Sequence, residues 1–364
     1  MSSRVKKIKV RAPSNIALIK YMGKTDSTRN LPENPSLSMT LNGLSTFLEI
    51  ELNADGKNGF HFATDAPETP AGVKTFPINF KPQAVTKFEK HYRRVQSRMA
   101  ELAAARTDMP SVVLKSINTF PAGSGIASSA SSFAALTLGA FLANAQDAEA
   151  AQALLKSEKG TALRRKLAKI SREGSGSSCR SFEGPFVQWV GEDAQACVSR
   201  LPEMAHFVVV VSSGEKEVSS SEAHLRVKTS PLWNGRVERA TSRFEQTRAA
   251  IEAGDFARIA KLAWDETWEM HSLFHTSDYP FTYWNAQTID ALHFFGEFFR
   301  NGAKAANSSG KGPIVTLDAG PNVHVLVPAS ERRSWQDRLV EKFGANRILE
   351  DGQGLGAEVI QVTR

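Results

Sequence analysis

Between residues 120 and 144 the chain passes from a loop of small residues straight into an apolar, helix-forming run. The loop reads Phe120-Pro-Ala-Gly-Ser-Gly-Ile-Ala-Ser-Ser-Ala130, and the Ala-rich run predicts a helix from Ser128 to Asn144. Gly123 and Gly125 allow a ligand to approach the backbone closely. Ser124, Ser128 and Ser129 supply hydroxyl donors. The helix points its free N–H groups and positive dipole end at the same loop, which is the physical recipe for holding phosphate. The loop is not of the Walker A type, because G-x-x-x-x-G-K-[ST] is absent. A plain helix start with serine capping is the competing reading.

A second loop repeats the theme. Ser171-Arg-Glu-Gly-Ser-Gly-Ser-Ser-Cys-Arg-Ser181 carries glycines, serines and Arg180, whose planar fork suits a carboxylate or phosphate. A flexible linker is the alternative, but such linkers rarely join an amphipathic helix to an apolar strand such as FVQWV. Near the N-terminus, Lys20 falls among apolar residues and shares a strand face with Leu18 and Met22. A buried, unpaired lysine is costly, so Lys20 predicts a cleft with an acidic partner. Lys24, after Gly23, is a natural anion contact. In Thr316-Leu-Asp-Ala-Gly-Pro-Asn322, Asp318 ends a strand and enters a tight turn. It reads either as a turn former or as a carboxylate at a cleft edge that serves as a base or orienting group.

Strands are predicted over residues 5–10, 46–52, 111–117, 207–211, 314–317 and 323–327. Helical spacing covers 83–105, two charged amphipathic stretches within 146–172 that meet near Gly160, and most of 230–300. Residues 53–82 read as loops and short strands, and 301–313 as a loop. Trp233, Trp264 and Trp268 read as core. The elements mix without a strict βαβ rhythm, so the class is α+β with two lobes, divided here into 1–195 and 196–364.

The 45 basic and 38 acidic residues leave a net charge of +7, which suggests an anionic partner without naming it. No apolar run is long enough to cross a membrane, and no secretory signal pattern precedes the first strand. Cys179 and Cys197 make no disulfide framework, so a reducing cytoplasm is expected. The eight histidines and two cysteines show no metal-ligand spacing, so no protein-only metal site is expected.

Taken together and in order, these segments resemble the diphosphomevalonate decarboxylases of the GHMP kinase superfamily. NIALIKYMGK at Asn15 to Lys24, FPAGSGIASSA, GSGSSCRS at Gly174 to Ser181 and DAGPN at Asp318 to Asn322 are similar to that family's motifs. LPENPSLSMTL, EVSSS, TSPLW and PFTYWN extend the resemblance over nearly the whole chain. It implies a ribosomal-S5-like N-terminal lobe, a ferredoxin-like C-terminal lobe and a site between them. It implies ATP with Mg²⁺, phosphorylation of the 3-hydroxyl of (R)-5-diphosphomevalonate, and loss of phosphate and CO₂ to give isopentenyl diphosphate. By the same resemblance Asp318, Lys20 and Arg180 are catalytic. Asn15, Tyr21, Lys24, Ser175, Ser177 and Ser220 contact substrate. Pro121, Gly123, Ser124, Gly125, Ser128 and Ser129 hold ATP, with Mg²⁺ carried by the nucleotide and touched by Ser128 or Ser129. The family is often dimeric, so a homodimer stays open; neither a nucleic-acid nor a membrane partner is expected.

The departures are specific. Met22 stands for Trp, Gly123-Ser124 for Ala-Ala, Glu173 for a basic residue, and Ser221 for an Arg of some bacterial members. The last leaves a phosphomevalonate decarboxylase as an alternative. A GHMP small-molecule kinase and, more remotely, a non-catalytic basic binding protein are the others. The latter calls for a basic stripe with exposed aromatics, and only short basic runs such as Arg164-Arg165-Lys166 occur.

Overall fold

A computed structural model describes residues 6–53, 59–78, 81–121, 126–212, 214, 216–300 and 312–364. The first half of the chain forms β1 (Lys7–Ile19), β2 (Lys24–Asp26), β3 (Leu31–Pro32), β4 (Ser36–Leu52), β5 (Phe60–Phe62) and β6 (Phe76–Pro77). It continues through α1 (Pro82–Ser97), β7 (Val112–Asn118), α2 (Ser128–Asn144), α3 (Ala148–Lys156), α4 (Gly160–Gly174), β8 (Phe186–Val190) and β9 (Asp193–Ala196). The second half holds β10 (Met204–Val209), α5 (Ser220–Arg226), α6 (Arg236–Ala253), α7 (Phe256–His275) and α8 (Ala286–Arg300). It ends with β11 (Ile314–Thr316), β12 (Val323–Pro328), α9 (Arg332–Phe343), β13 (Ile348–Gly352) and β14 (Glu358–Thr363).

The long antiparallel pair β1–β4 organises the first lobe. Ile8 faces Ile50 and Val10 faces Leu48 across the register, and these apolar side chains form one buried face. On the strands' other face, Lys7, Lys9 and Lys115 ladder against Glu49 and Glu51 at 3.2–3.6 Å. The sheet runs β14-β1-β4-β7-β5, with β6 on β7, β8 on β4 and β9 on β8. The last strand of the chain thus returns to the first sheet. Helix α2 is buried at every residue from Ala130 to Asn144. A helix apolar all round has to be enclosed, and α2 shares its core with the sheet, α1 and α4. It lies so close to the strands that a Cβ on Gly139 would sit 3.0 Å from Ile50 Cδ1.

The strands run further than the period-2 pattern predicts. Past Val10 in β1 and before Thr46 in β4 nearly every residue is buried. Alternation therefore vanishes, and most polar groups there are satisfied internally, the Ser38 hydroxyl being an exception. Ser14 Oγ donates to the Ile126 carbonyl at 2.8 Å, and Asn15 Nδ2 to Ser181 Oγ at 2.9 Å. Helix α1 stops at Ser97, short of residue 105, because Met99 turns into the core through a 3₁₀ turn, Met99–Glu101. The Gly174–Ser178 loop is not a linker. It folds as the 3₁₀ turn Gly176–Ser181, in which Ser178, Cys179, Arg180 and Ser181 are buried.

The second sheet is antiparallel, in the order β11-β12-β10-β13. Helices α8 and α9 cover one face through Leu292, Phe295, Trp335 and Leu339. The other face shares a core with α6, α7 and the first sheet. Leu18, Leu37 and Met39 meet Met204, Val208 and Ile314 there, with Phe244, Ile251 and Ile259 between them. Each fully buried Leu or Ile contributes about 1.5–3 kcal/mol, so this shared core joins the two lobes firmly. Of the tryptophans read as core, Trp268 is 38% exposed, on the aromatic cluster of Trp264 and Trp284. Among the described residues no helix is long and apolar enough to cross a membrane.

Candidate active site

β1 leaves the first sheet at Ile19 and carries Lys20 to Lys24 along the seam between the lobes. A cavity of about 260 Å³ opens there. Its wall includes Lys20, Tyr21 and Lys24, Ser129 from the start of α2, and Ser175, Ser177 and Arg180 from the second loop. Ser220 of α5 and Asp318 beyond β11 complete it. The tertiary fold brings these sequence-predicted residues to one place.

Lys20 is 2% exposed and its Nζ donates to Asp318 Oδ1 at 2.6 Å and to the Ala17 carbonyl at 2.7 Å. Burial pulls the ammonium pKa down, and the Asp318 carboxylate opposes that pull. The lysine's own backbone is pinned from the other lobe: Lys20 N–H donates to Glu266 Oε1 at 3.1 Å. Glu266 is fully buried and paired with Arg236 and Arg243. Burial raises its pKa, but the two guanidinium groups outweigh that and hold it low. This ion cluster ties α7 and α6 to the exit of β1.

Arg180 is 3% exposed. Its Nε donates to Asn15 Oδ1 at 3.2 Å and its Nη1 to Ser36 Oγ at 2.7 Å, while Trp189 lies 5.6 Å from the guanidinium carbon. Among the described residues no carboxylate ion-pairs with it. A buried cation oriented by neutral partners keeps its charge for an anion entering the cavity. Asn15 is therefore a support for Arg180; its amide also donates to Ser181 Oγ and to the Ser177 carbonyl at 3.1 Å.

Lys24 Nζ donates to Asn30 Oδ1 at 2.7 Å. Tyr21 packs between Trp189 and His224, with ring centroids 4.5 and 4.3 Å away. Its hydroxyl reaches the Asn30 carbonyl at 3.4 Å. Ser175 Oγ donates to Ser129 Oγ at 3.1 Å, which joins the two Gly/Ser loops. Ser128 opens α2 without lining the cavity, and Pro121 precedes the loop. Gly123, Ser124 and Gly125 lie outside the described residues.

The start of α2 is not serine-capped. The N-cap residue is Ala127, in a left-handed conformation (φ 35°), with no side-chain cap and no acidic residue in the first turn. Among the described residues no side chain accepts from the first N–H groups of this helix, a setting that fits an anionic phosphate. Among the described residues no group of three or more His, Cys, Asp or Glu stands together as a metal site.

Several lining residues carried no signal that sequence reasoning used. Lys216 and Lys87 add positive charge to the wall, and Asn30, His224 and Met270 complete it. Lys216 immediately precedes the EVSSS segment, a position that offered a clue. Burial lowers its pKa while Asp318 opposes the shift. Glu173 ion-pairs with Arg94 at 3.2 Å and Arg98 at 3.3 Å. Met22 is buried with Val218, Ala223 and Phe274.

Two lobes, two sheets and a phosphate-type helix start beside a Lys–Asp pair define the GHMP-like class of α+β proteins. The solved mevalonate diphosphate decarboxylase of Staphylococcus aureus matches with a TM-score of 0.78 and 26% identity, over 99% of this chain and all of that one. A complex described as MDDEF with MVAPP, AMPPCP and magnesium matches at 0.76 and 27% identity, over 98% of this chain and all of that one. The diphosphomevalonate decarboxylase of Saccharomyces cerevisiae is 32% identical, over 92% of this chain and 81% of the yeast protein. Residues 12–199 match the family model for the diphosphomevalonate decarboxylase-like N-terminal domain. Residues 206–359 match that for the mevalonate 5-diphosphate decarboxylase C-terminal domain. The chain belongs to the diphosphomevalonate decarboxylase family.

Proposed function

We propose that this protein phosphorylates the 3-hydroxyl of (R)-5-diphosphomevalonate with ATP and Mg²⁺, and that phosphate and CO₂ then leave to give isopentenyl diphosphate. The observation that carries the reading is the Lys20–Asp318 pair at 2.6 Å on the same cavity wall as Arg180, a guanidinium with no carboxylate partner among the described residues. Asp318 orients the 3-hydroxyl and accepts its proton. Lys20 balances the charge that develops there. Arg180 clamps the substrate carboxylate and holds the breaking C–C bond in line for elimination, a positioning effect. Tyr21, Lys24, Ser175, Ser177 and Ser220 hold the phosphorylated arm and backbone of the substrate, with Asn15 steadying Arg180. The uncapped start of α2, with Ser128 and Ser129, receives the nucleotide phosphates and their magnesium. The MDDEF complex with MVAPP, AMPPCP and magnesium supports this ligand set for the family.

The test is incubation with ATP, Mg²⁺ and either 5-diphosphomevalonate or 5-phosphomevalonate, with CO₂ and ADP both measured. Stoichiometric CO₂ and ADP from the diphosphate is the expected result. Turnover of the monophosphate alone would make the protein a phosphomevalonate decarboxylase. ADP without CO₂ would make it a kinase, and no turnover of either compound overturns the enzymatic reading.

A further inference from the structure

His224 is a cavity-wall residue to which the mechanism above gives no task. It sits on α5, four residues past Ser220, and is 7% exposed. Its ring is held on two sides, by Tyr21 at 4.3 Å and by the backbone of Gly23, whose N–H donates to Nδ1 at 3.0 Å. A backbone N–H can only donate, so Nδ1 is the bare nitrogen and the ring proton sits on Nε2. Nε2 lies on the opposite edge of the ring and has no protein partner among the described residues. That nitrogen is not fully enclosed, and the residue lines the cavity. The buried His91 has both nitrogens satisfied, by Thr137 and Arg94, whereas the unpartnered nitrogens of the core residues His206, His271 and His324 are fully enclosed; that of His224 is not.

The surroundings say what such a donor meets. Lys24, Ser220 and Ser221 share its wall, while Asp318, the acidic residue of that wall among the described residues, is engaged by Lys20. Burial, with smaller help from the charges of Lys24 and Lys228, pushes the ring's pKa down to about 3. The imidazole is therefore a neutral, directional donor beside lysine and hydroxyl groups.

We infer that His224 is a substrate-specificity contact whose Nε2–H donates a hydrogen bond to a phosphate oxygen of the 5-phosphorylated arm. This deepens the reading above and rests on its phosphorylated substrate. In place of cavity water this donor gains a charge-assisted hydrogen bond to an anionic oxygen, which gives the site a preference for a phosphorylated over an unphosphorylated arm.

Two substitutions separate this contact from mere packing. His224→Asn keeps an acceptor near Gly23 N–H and removes the distal donor; His224→Gln offers a donor near the place of Nε2. Calorimetry with the full chain measures 5-diphosphomevalonate, 5-phosphomevalonate and mevalonate. The Asn variant binds both phosphorylated compounds about 10- to 100-fold more weakly, with mevalonate affinity and the KM for ATP unchanged. The Gln variant regains most of the loss. Equal affinities in wild type and Asn variant overturn the assignment, as does an equal loss for mevalonate. In ¹⁵N-histidine-labelled wild type, the His224 Nε2–H resonance moves when 5-diphosphomevalonate binds, and an unmoved resonance also overturns it. Wild type that binds tightly yet releases no CO₂ refutes decarboxylation and leaves the contact standing. Wild type that binds neither phosphorylated compound refutes both.

Discussion

We predict that Asp318→Asn will cost stability in a way that depends on pH, apart from its effect on turnover. The substitution preserves shape and removes one charge. Lys20, 2% exposed, then has only neutral acceptors near its Nζ, the new amide oxygen and the Ala17 carbonyl at 2.7 Å, with Glu266 a more distant charge. Breaking a buried pair by removing one partner costs about 3–5 kcal/mol. Lys20 has an escape, because it can release its proton. At pH 7 that release costs a lysine of ordinary pKa about 1.36 × 3.4, or roughly 4.6 kcal/mol, which caps the loss. Without Asp318 the buried lysine holds its proton less firmly in the folded state than in the unfolded one. The unfolded state binds more protons, so variant stability rises with pH. By pH 9 the cap falls to about 2 kcal/mol. Wild type keeps its proton longer, since Asp318 opposes the burial-driven fall in pKa. Urea unfolding of both proteins at pH 7 and pH 9 reads this directly. A deficit of about 3–5 kcal/mol at pH 7 should shrink by at least 1 kcal/mol at pH 9. A deficit that is absent at pH 7, or the same at both pH values, would refute the charge pairing. Activity in the same variant should fall about 10³-fold or more with ATP binding retained, and near-normal turnover removes Asp318 from the mechanism.

Arg180→Ala should lower CO₂ release at least about 100-fold, measured against ADP formation, and an unchanged rate breaks the carboxylate clamp. Gly176→Ala would place a Cβ 2.6 Å from Tyr21 Cε1. Because that ring is wedged between Trp189 and His224, the variant should raise the substrate KM about 10-fold and cost about 1–3 kcal/mol; unaltered kinetics would show that Tyr21 plays no part in binding. Finally, burial depresses His91, His224 and His324 to about 3 each. The unfolded chain takes up protons below about pH 6.5 that these side chains refuse, so stability is present above that pH and falls below it. At pH 5 each costs about 2 kcal/mol, and a urea midpoint that stays level between pH 7 and pH 5 would contradict their burial as neutral rings.

The local chemistry of the chain is written in its sequence. The apolar run became α2 over Ser128–Asn144, the amphipathic pair became α3 and α4 meeting at Gly160, and Asp318 does follow a strand. Such features rest on periodicity and turn-forming residues within a few positions of one another. Strand ends were less legible, because β1 and β4 are buried on both faces where they pass between the lobes and alternation disappears. The nature of the α2 start was ambiguous too, since serines on both sides of the cap suggest capping, while the cap itself is Ala127.

Convergence belongs to the tertiary structure alone. Lys20 and Asp318 are 298 residues apart and meet at 2.6 Å. Lys20 predicted an acidic partner because burying it alone is costly, but only the packing of α7 and β11 against the end of β1 says which carboxylate it is. Arg180 read as an anion-binding fork or as part of a flexible linker, and the structure shows it buried and held by Asn15 and Ser36. Nothing in the residues around His224 marks it as cavity-lining, and Lys216 is marked only by its place before the EVSSS segment. Side-chain direction across a seam between two sheets depends on the summed packing of distant elements, and no local pattern encodes it.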